Sequence, residues 1–478
     1  MKKLLSFAVL FLSVSVLQAH NLPLLTNANV KQQLDALFSR ARQEAQNAQA
    51  EQAAQAIKNN FVSFPVVSQQ QPVSIYAQDS FKFVPHQNTN RPAMKPRPAV
   101  KQGSATRPWQ LAFFVAFPEG GERLSSALTA LRGQIAQGFL NHAVLLDIMP
   151  PNGNEDEVRQ TATLYFLYRK DRRAATETFS LDTDIDAVGL LQELFQNLKT
   201  TEEELYTGVL FDAHGSGTEM FYNESSFSVS EMLTALDLAQ LHVNVLQLDS
   251  CHMGSLYSTY HLTRTGQVDY LAASSNVSYT TPHGTRVFPL VSFLNEEPQQ
   301  AVYKAVNRMR IQYDFWEGGY DTTGYAALDM GPLQKPLQEW FKFYVFLRST
   351  SPQVRKYFDN LFKKEEWRSL NKLVRKQRNY IAANFDTLTE KESRFEEMKR
   401  DFIDASDALL TATQQATLTQ WCYSATYDTV YRDQIPDNDC LESISADANQ
   451  FTELLNEYGD ELDSERYRYM DYYRLRHF

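Results

Sequence analysis

Two short apolar runs in the middle of the chain, residues 207–213 (TGVLFDA) and 243–248 (VNVLQL), each stop abruptly at a polar cluster: HGSG at 214–217 and DSCHMG at 249–254. Runs this short, rich in Val and Leu and bounded by Gly or Ser, read as strands buried on both faces, the pattern of a parallel sheet. Between them, Ser228 and Glu231 are spaced as a capping box ahead of Met232, Leu233, Leu236 and Leu238, so a helix crosses over. Residues 206–260 thus form a βαβ unit with His214 and Cys251 at the carboxyl ends of two parallel strands. Open α/β sheets carry their ligand and catalytic sites at that edge. A thiol nucleophile with an imidazole partner is the chemistry such a unit points to.

The flanking sequence continues the alternation. Strands are predicted over 109–117, 143–149, 161–169 and 268–273, and helices over 124–139, 186–198 and 255–262. Strands alternating with helices at this spacing imply an α/β sandwich with a mostly parallel sheet. From about residue 332 the pattern changes to helices, over 337–347, 354–362, 367–384, 390–410 and 414–423, with no strand expected among them. The tail 456–478, acidic and then rich in Tyr and Arg, reads as a surface helix or strand.

At the other end, Met1-Lys-Lys3 precedes an apolar run over 4–17 and a small residue, Ala19, the pattern of a secretory signal peptide cleaved after 19. No later stretch reaches 18 apolar residues, so no membrane span is expected once the signal is removed. Residues 27–59 have helical spacing and a short strand or two is expected by residue 76. Residues 86–108 carry Pro92, Pro96, Pro98 and Pro108 among Arg and Lys, an extended linker by composition. That basic linker is either simple solvated chain or an activation cleavage site following a propeptide. A net charge of -11 speaks against general nucleic-acid binding. Only three cysteines occur in what reads as a secreted or periplasmic protein. Cys422 and Cys440 are close enough in sequence to pair, which leaves Cys251 as the odd thiol. It is either an inert buried thiol or a nucleophile, and its polar strand-end setting favours the nucleophile.

A strand ending in His214-Gly215, a crossover helix and a strand ending in Asp-Ser-Cys-x-Met-Gly together resemble the clostripain family of cysteine peptidases, within the caspase, gingipain and legumain fold group. Trp109, the segment Ala273-Ser-Ser275, and residues 325–329 (YAALD) followed by Leu333 add to the resemblance, which spans 107–345. It implies a caspase-like α/β/α sandwich, His214 and Cys251 as a catalytic dyad, and a peptide substrate. The layout expected is a signal peptide (1–19), an N-terminal helical segment and linker (20–106), a peptidase domain (107–345) and a helical C-terminal region (346–478).

The chemistry fits those residues. A thiol near its ordinary pKa of about 8.5 is mostly protonated at neutral pH, so amide hydrolysis needs an imidazole beside it and donors for the oxyanion. His214 can protonate the leaving amine; the N–H groups of Gly215 and Cys251 can face the oxyanion. A helix starting just after Cys251 would also favour the thiolate. By the resemblance, Asp249, with Ser275 and Asn276, lines the pocket for the side chain before the cleaved bond and prefers Arg or Lys; a carboxylate can hold a guanidinium in bidentate fashion. Asp249 equally suits a local hydrogen bond to strand-end backbone. The resemblance is incomplete at two places: Asn276 stands where many members carry an acid, and His252 where Leu is usual. His252 reads as an exposed helix-start residue or as a perturbation of the site. The rival function is a peptidase-like scaffold that binds through its helical region.

No cofactor is expected. Cys251, His252, His261 and His283 match no common zinc spacing. Ser216 lacks the Gly-x-Ser-x-Gly context of a nucleophile elbow, and there is no phosphate-binding or dinucleotide glycine motif. Calcium dependence is known among clostripain-like enzymes, yet no acidic cluster here reads as a dedicated loop.

Overall fold

The chain was obtained as a computed structural model that describes residues 107–476, apart from 117–119, 150–160, 171–172, 182–185, 199–204, 223–224, 277–288, 315–322, 351, 362–367, 389–392, 425–428 and 433–441. The expected signal peptide, N-terminal helix and basic linker lie outside the described residues, as do His283 and Cys440.

All seven residues of β1 (Trp109–Val115) are buried, as a strand covered on both faces must be. It lies between β2 (Leu140–Met149) and β5 (Tyr206–Asp212), parallel to both. Next to β5 come β9 (Val243–Asp249) and β10 (Val268–Ser274), also parallel. Five parallel strands in the order β2, β1, β5, β9, β10 therefore form the middle of a ten-stranded sheet. The edges run antiparallel: β3 (Thr161–Lys170) and β4 (Arg173–Leu181) beyond β2, and β11 (Thr323–Asp329) beyond β10. The expected α/β sandwich is present, with its parallel part confined to the centre.

Successive side chains on a strand point to opposite faces, and the two faces have separate cores. On one, Leu111, Phe113, Val115, Leu210 and Val245 pack with Leu131 and Ile135 of α1 (Gly120–Gln137) and with Val302 and Val306 of a helix over Pro298–Asp314. On the other, Ala112, Phe114, Phe211, Leu246 and Leu248 meet the helices over Ala187–Leu198, Val229–Leu238, Leu256–Thr265 and Gln334–Thr350. Each large side chain removed from water in this way contributes roughly 1.5–3 kcal/mol before entropy is counted.

The C-terminal half departs from expectation. The helix expected over 414–423 is a strand, Thr417–Ser424, following a helix that ends at Ala416. It pairs antiparallel with β11 and in turn with Thr429–Arg432, so residues far beyond 345 extend the central sheet. Thr and Trp favour a pleated, half-buried surface, and Trp421, fully buried, stacks on Tyr325 with ring centroids 5.6 Å apart. The expected domain limit at 345 falls inside the helix Gln334–Thr350, and the described residues on both sides of it belong to one compact unit. The tail is a helix, Ala448–Arg476. Among the described residues, no helix is long and apolar enough to cross a membrane.

Candidate active site

The parallel register of β5 and β9 aligns the two strand ends. Asp212 is the partner of Asp249, and His214 and Cys251 each stand two residues beyond that pair. Neighbouring strands lie about 4.8 Å apart, so the imidazole-bearing and thiol-bearing segments leave the sheet side by side. Their contact is close: a Cβ at Gly215 would fall 2.6 Å from the Cys251 carbonyl oxygen, 2.9 Å from Ser250 Cβ and 3.1 Å from Met253 Cγ. Only glycine fits there.

His214 is exposed and belongs to a small three-stranded sheet, β6 (His214–Gly215), β7 (Glu219–Tyr222) and β8 (Ser225–Ser228). His214 pairs with Phe221 and Gly215 with Met220. Met220 and Phe227 anchor this sheet in the core, the Phe227 ring lying 5.3 Å from Phe114 and 5.6 Å from Phe211. The last strand leads into the crossover helix through the expected capping box. Ser228 Oγ accepts from the Glu231 N–H and the Glu231 carboxylate accepts from the Ser228 N–H.

Cys251 is half-buried and remains a thiol, whereas Cys422 is disulfide-bonded. The helix after Cys251 begins where expected, spanning Leu256–Thr265 with Ser255 as its N-cap. The helix-end field fades within about a turn, so the helix start, four residues beyond Cys251, lends its thiol little stabilisation. The intervening residues form a turn in which His252 has φ of 58°, a left-handed conformation that costs a residue with a Cβ about 1–2 kcal/mol. Three backbone bonds hold this turn. The His252 N–H donates to the Asn276 carbonyl at 2.7 Å, the Gly254 N–H to the Ser274 carbonyl at 2.7 Å, and the Ser445 N–H to the Gly254 carbonyl at 2.8 Å. The His252 ring is not the exposed helix-start group expected. Burial pushes its pKa down to about 4, against a smaller opposing effect of its hydrogen bond to the Ser275 backbone, and it stays neutral at physiological pH.

The three pocket candidates are all buried. Asp249 faces the same side of the sheet as Val245, opposite to Leu246 and Leu248. There its Oδ1 accepts a hydrogen bond from the hydroxyl of Tyr325, two strands away. Ser275 serves through its backbone. Asn276 uses its carbonyl for His252 and Ser274, and directs its amide nitrogen to Cys422 Sγ at 3.7 Å. Its side chain is thereby engaged with the antiparallel edge of the sheet.

The sequence reading passed over Asp212. It is 1% exposed, as is Asp249, and the two are register partners on one face. On β1, Val115 is the partner of both Asp212 and Asp147. Burial raises the pKa of Asp147 to about 6. The available signal was an acidic residue inside an otherwise apolar strand at the His end, TGVLFDA. Ser255 and Ser445 were also missed; their parts depend on contacts between distant segments.

Among the described residues, no group of three or more His, Cys, Asp or Glu side chains is placed to hold a metal ion. His261, one of the sequence-spaced zinc candidates, instead faces the C-terminal helix. Its Nε2 lies 2.8 Å from the Glu457 carboxylate and its Nδ1 lies 3.1 Å from the Tyr458 hydroxyl.

No protein-family model matches the chain, and no curated protein matches it. Among solved structures it is similar to an inactive zymogen C11 protease from Parabacteroides distasonis, at 14% identity and a TM-score of 0.47, over 77% of this chain and 99% of that one. It is also similar to a secreted C11 cysteine protease from Bacteroides thetaiotaomicron in complex with an irreversible peptide inhibitor, at 13% identity and a TM-score of 0.45, over 76% and 99% of the two chains. The solved structures that this chain resembles are thus C11, clostripain-like, cysteine proteases, at low identity.

Proposed function

We propose that the chain is an exported cysteine endopeptidase in which Cys251 is the nucleophile and His214 its acid–base partner, cleaving after Arg or Lys. The observation that carries this reading is the paired exit of His214 and Cys251 from register-aligned strand ends, with Gly215 seated on the Cys251 carbonyl. In the proposed reaction the Cys251 thiolate attacks the scissile carbonyl carbon, and the tetrahedral oxyanion faces the N–H groups of Gly215 and Cys251. As the C–N bond breaks, His214 gives its proton to the leaving amine and a thioester remains. Water, deprotonated by His214, hydrolyses the thioester and restores the thiol. No acid is needed to orient His214.

The basic preference rests on the buried carboxylate of Asp249 beside the nucleophile. Export follows from the N-terminal sequence, and removal of the segment before the basic linker is the proposed activation step. The test is a peptide-library cleavage profile under reducing conditions, before and after trimming the N-terminal segment, with labelling by a thiol-reactive peptide ending in Arg or Lys. Cleavage and labelling should both vanish in Cys251→Ala. A trimmed protein that cleaves nothing in the library makes the scaffold reading correct. Cleavage without basic preference, unchanged by Asp249→Asn, removes Asp249 from the pocket.

A further inference from the structure

His214 and Cys251 belong to different structural pieces. The first sits on a small sheet outside the main one, the second on a turn at the end of β9. Catalysis by a dyad tolerates little play between its members: misplacement by about 1 Å can cost 10²-fold in rate. Something must therefore fix the His-bearing loop against the Cys-bearing turn, and van der Waals contact at Gly215 prevents close approach without preventing separation.

Ser255 supplies the attraction. It is fully buried, four residues after Cys251. Its Oγ donates to the carbonyl of Gly217 at 2.6 Å, at the far end of the loop that carries His214. The same Oγ accepts from the Ser258 N–H at 3.0 Å and so caps the helix Leu256–Thr265. One short hydroxyl thus donates to the His loop and accepts from the helix behind the Cys turn. A carboxylate could cap the helix but has no proton for Gly217, and alanine can do neither. The turn is braced from the other side as well: Ser255 bridges to Ser445, whose N–H and Oγ both reach the Gly254 carbonyl, at 2.8 and 3.2 Å. Gly217 has φ of +95°, a conformation glycine adopts without strain, so the carbonyl that Ser255 holds is set by the backbone itself.

We propose that Ser255 is a positioning residue for the dyad, its hydroxyl tying the Gly217 carbonyl of the His214 loop to the helix that follows Cys251. The proposal rests on the dyad reading above.

The experiment compares wild type, Ser255→Ala, Ser255→Thr, Ser258→Ala and His214→Ala in the full chain after trimming. Each is measured for kcat and KM on a basic peptide, for melting temperature, and for the rate of Cys251 alkylation by iodoacetamide as a function of pH. Ser255→Ala should lower kcat on the order of 10²-fold with KM within about three-fold. It should also move the alkylation profile toward that of an ordinary thiol, near pH 8.5, as His214→Ala should. Ser255→Thr, which keeps the hydroxyl, should restore the wild-type profile. Ser258→Ala removes the other oxygen near that hydroxyl, Ser258 Oγ at 3.1 Å, while keeping the N–H that caps the helix, so it should never leave that profile. A cap with only a structural role would lower the melting temperature of Ser255→Ala and leave the alkylation profile in place; that result overturns the proposal. If Ser255→Ala does not fold, a folded Ser255→Thr with a wild-type profile supports the tie and one with the His214→Ala profile refutes it. If His214→Ala itself leaves the profile unchanged, it is the dyad reading that fails, and the proposal falls with it.

Discussion

Gly215→Ala is the sharpest single perturbation of the proposed site because it adds one methyl group at the seam between the His214 and Cys251 segments. Gly215 does not have a positive φ, so alanine can adopt its backbone without strain and only space is tested. The new Cβ would lie 2.6 Å from the Cys251 carbonyl oxygen and 2.9 Å from Ser250 Cβ. Ordinary contact begins near 3.4 Å, so the His214 loop and the Cys251 turn must part by roughly 0.8 Å, close to the 1 Å misplacement that costs about 10²-fold in rate. Neither neighbour gives way easily. The carbonyl belongs to a turn held by three backbone hydrogen bonds, and Ser250 is fully buried.

The expected outcome is a fall in kcat on the order of 10²-fold, with loss of stability of about 1–3 kcal/mol from overpacking. Steady-state kinetics on a basic peptide and thermal melts read the two effects separately. Gly217→Ala tests the backbone instead: with φ of +95° it should lose stability through strain. If Gly215→Ala keeps kcat within three-fold of wild type at an unchanged melting temperature, the two segments do not meet as described and the geometric basis of the dyad is gone.

Asp147 offers a test on the stability axis. Its folded pKa, about 6, lies above its ordinary value of 3.8, so the folded state binds more protons between those values and stability falls as pH rises through that window. At roughly 1.4 kcal/mol per pH unit, ionised Asp147 costs up to about 3 kcal/mol at pH 7; Asp147→Asn should recover part of this in denaturant melts at pH 7 and none at pH 3.5. His242 has the opposite sign: its hydrogen bond to Asp269 raises its pKa above 6.5, so its contribution is present below pH 6.5 and lost as pH rises through the raised value. Because the ring is half-exposed, His242→Ala should cost no more than about 0.5–1 kcal/mol at pH 5.5 and nothing at pH 8.5, as thermal melts at the two pH values will show. Tyr325→Phe removes a buried donor from Asp249 and should lower stability by about 1–3 kcal/mol, with kcat/KM on arginine substrates changed more than on uncharged ones; equal changes would separate Asp249 from substrate choice.

How much of this was legible in the sequence depended on whether the deciding contact was local. Residues 207–213 and 243–248 could be read as parallel strands because burial on both faces leaves a continuous apolar run, and the capping box at Ser228 because its two partners are three residues apart. Where neighbours across the sheet decide, the reading failed. Arg173–Leu181 is an exposed edge strand with little apolar pattern. Thr417–Ser424 follows a helix without punctuation, and its strand character comes from β11 beside it. The same division runs through the site: His214, Gly215 and Cys251 announce themselves by spacing, while Asp212 becomes notable only when the register sets it against Asp249. The turn between Cys251 and that helix belongs with the illegible contacts: the left-handed conformation of His252 is held by Ser274 and Asn276 rather than by its own sequence.

This division bears on what the C-terminal residues are for. A helical appendage could be removed and leave the Cys251 turn intact; the chain is not built that way. The Cys251 turn is bounded on one side by residues 274–276, themselves packed against β11, and Gly324 of β11 lies against Trp421 and Cys422, with a Cβ there only 3.0 Å from the Trp421 carbonyl. On its other side the turn is held by Ser445, which belongs to a short strand paired with Arg368–Ser369 and is preceded by Ser443, whose hydroxyl joins Thr417 and Gln420. Residues 368–369, 417–422 and 443–446 thus form one connected brace around Gly254. Cutting the chain before Ser443 would strand the Gly254 carbonyl and unpair residues 368–369. The free energy of that brace therefore sets how firmly the Cys251 turn is held, and binding functions assigned to the C-terminal helices must be compatible with their place in it.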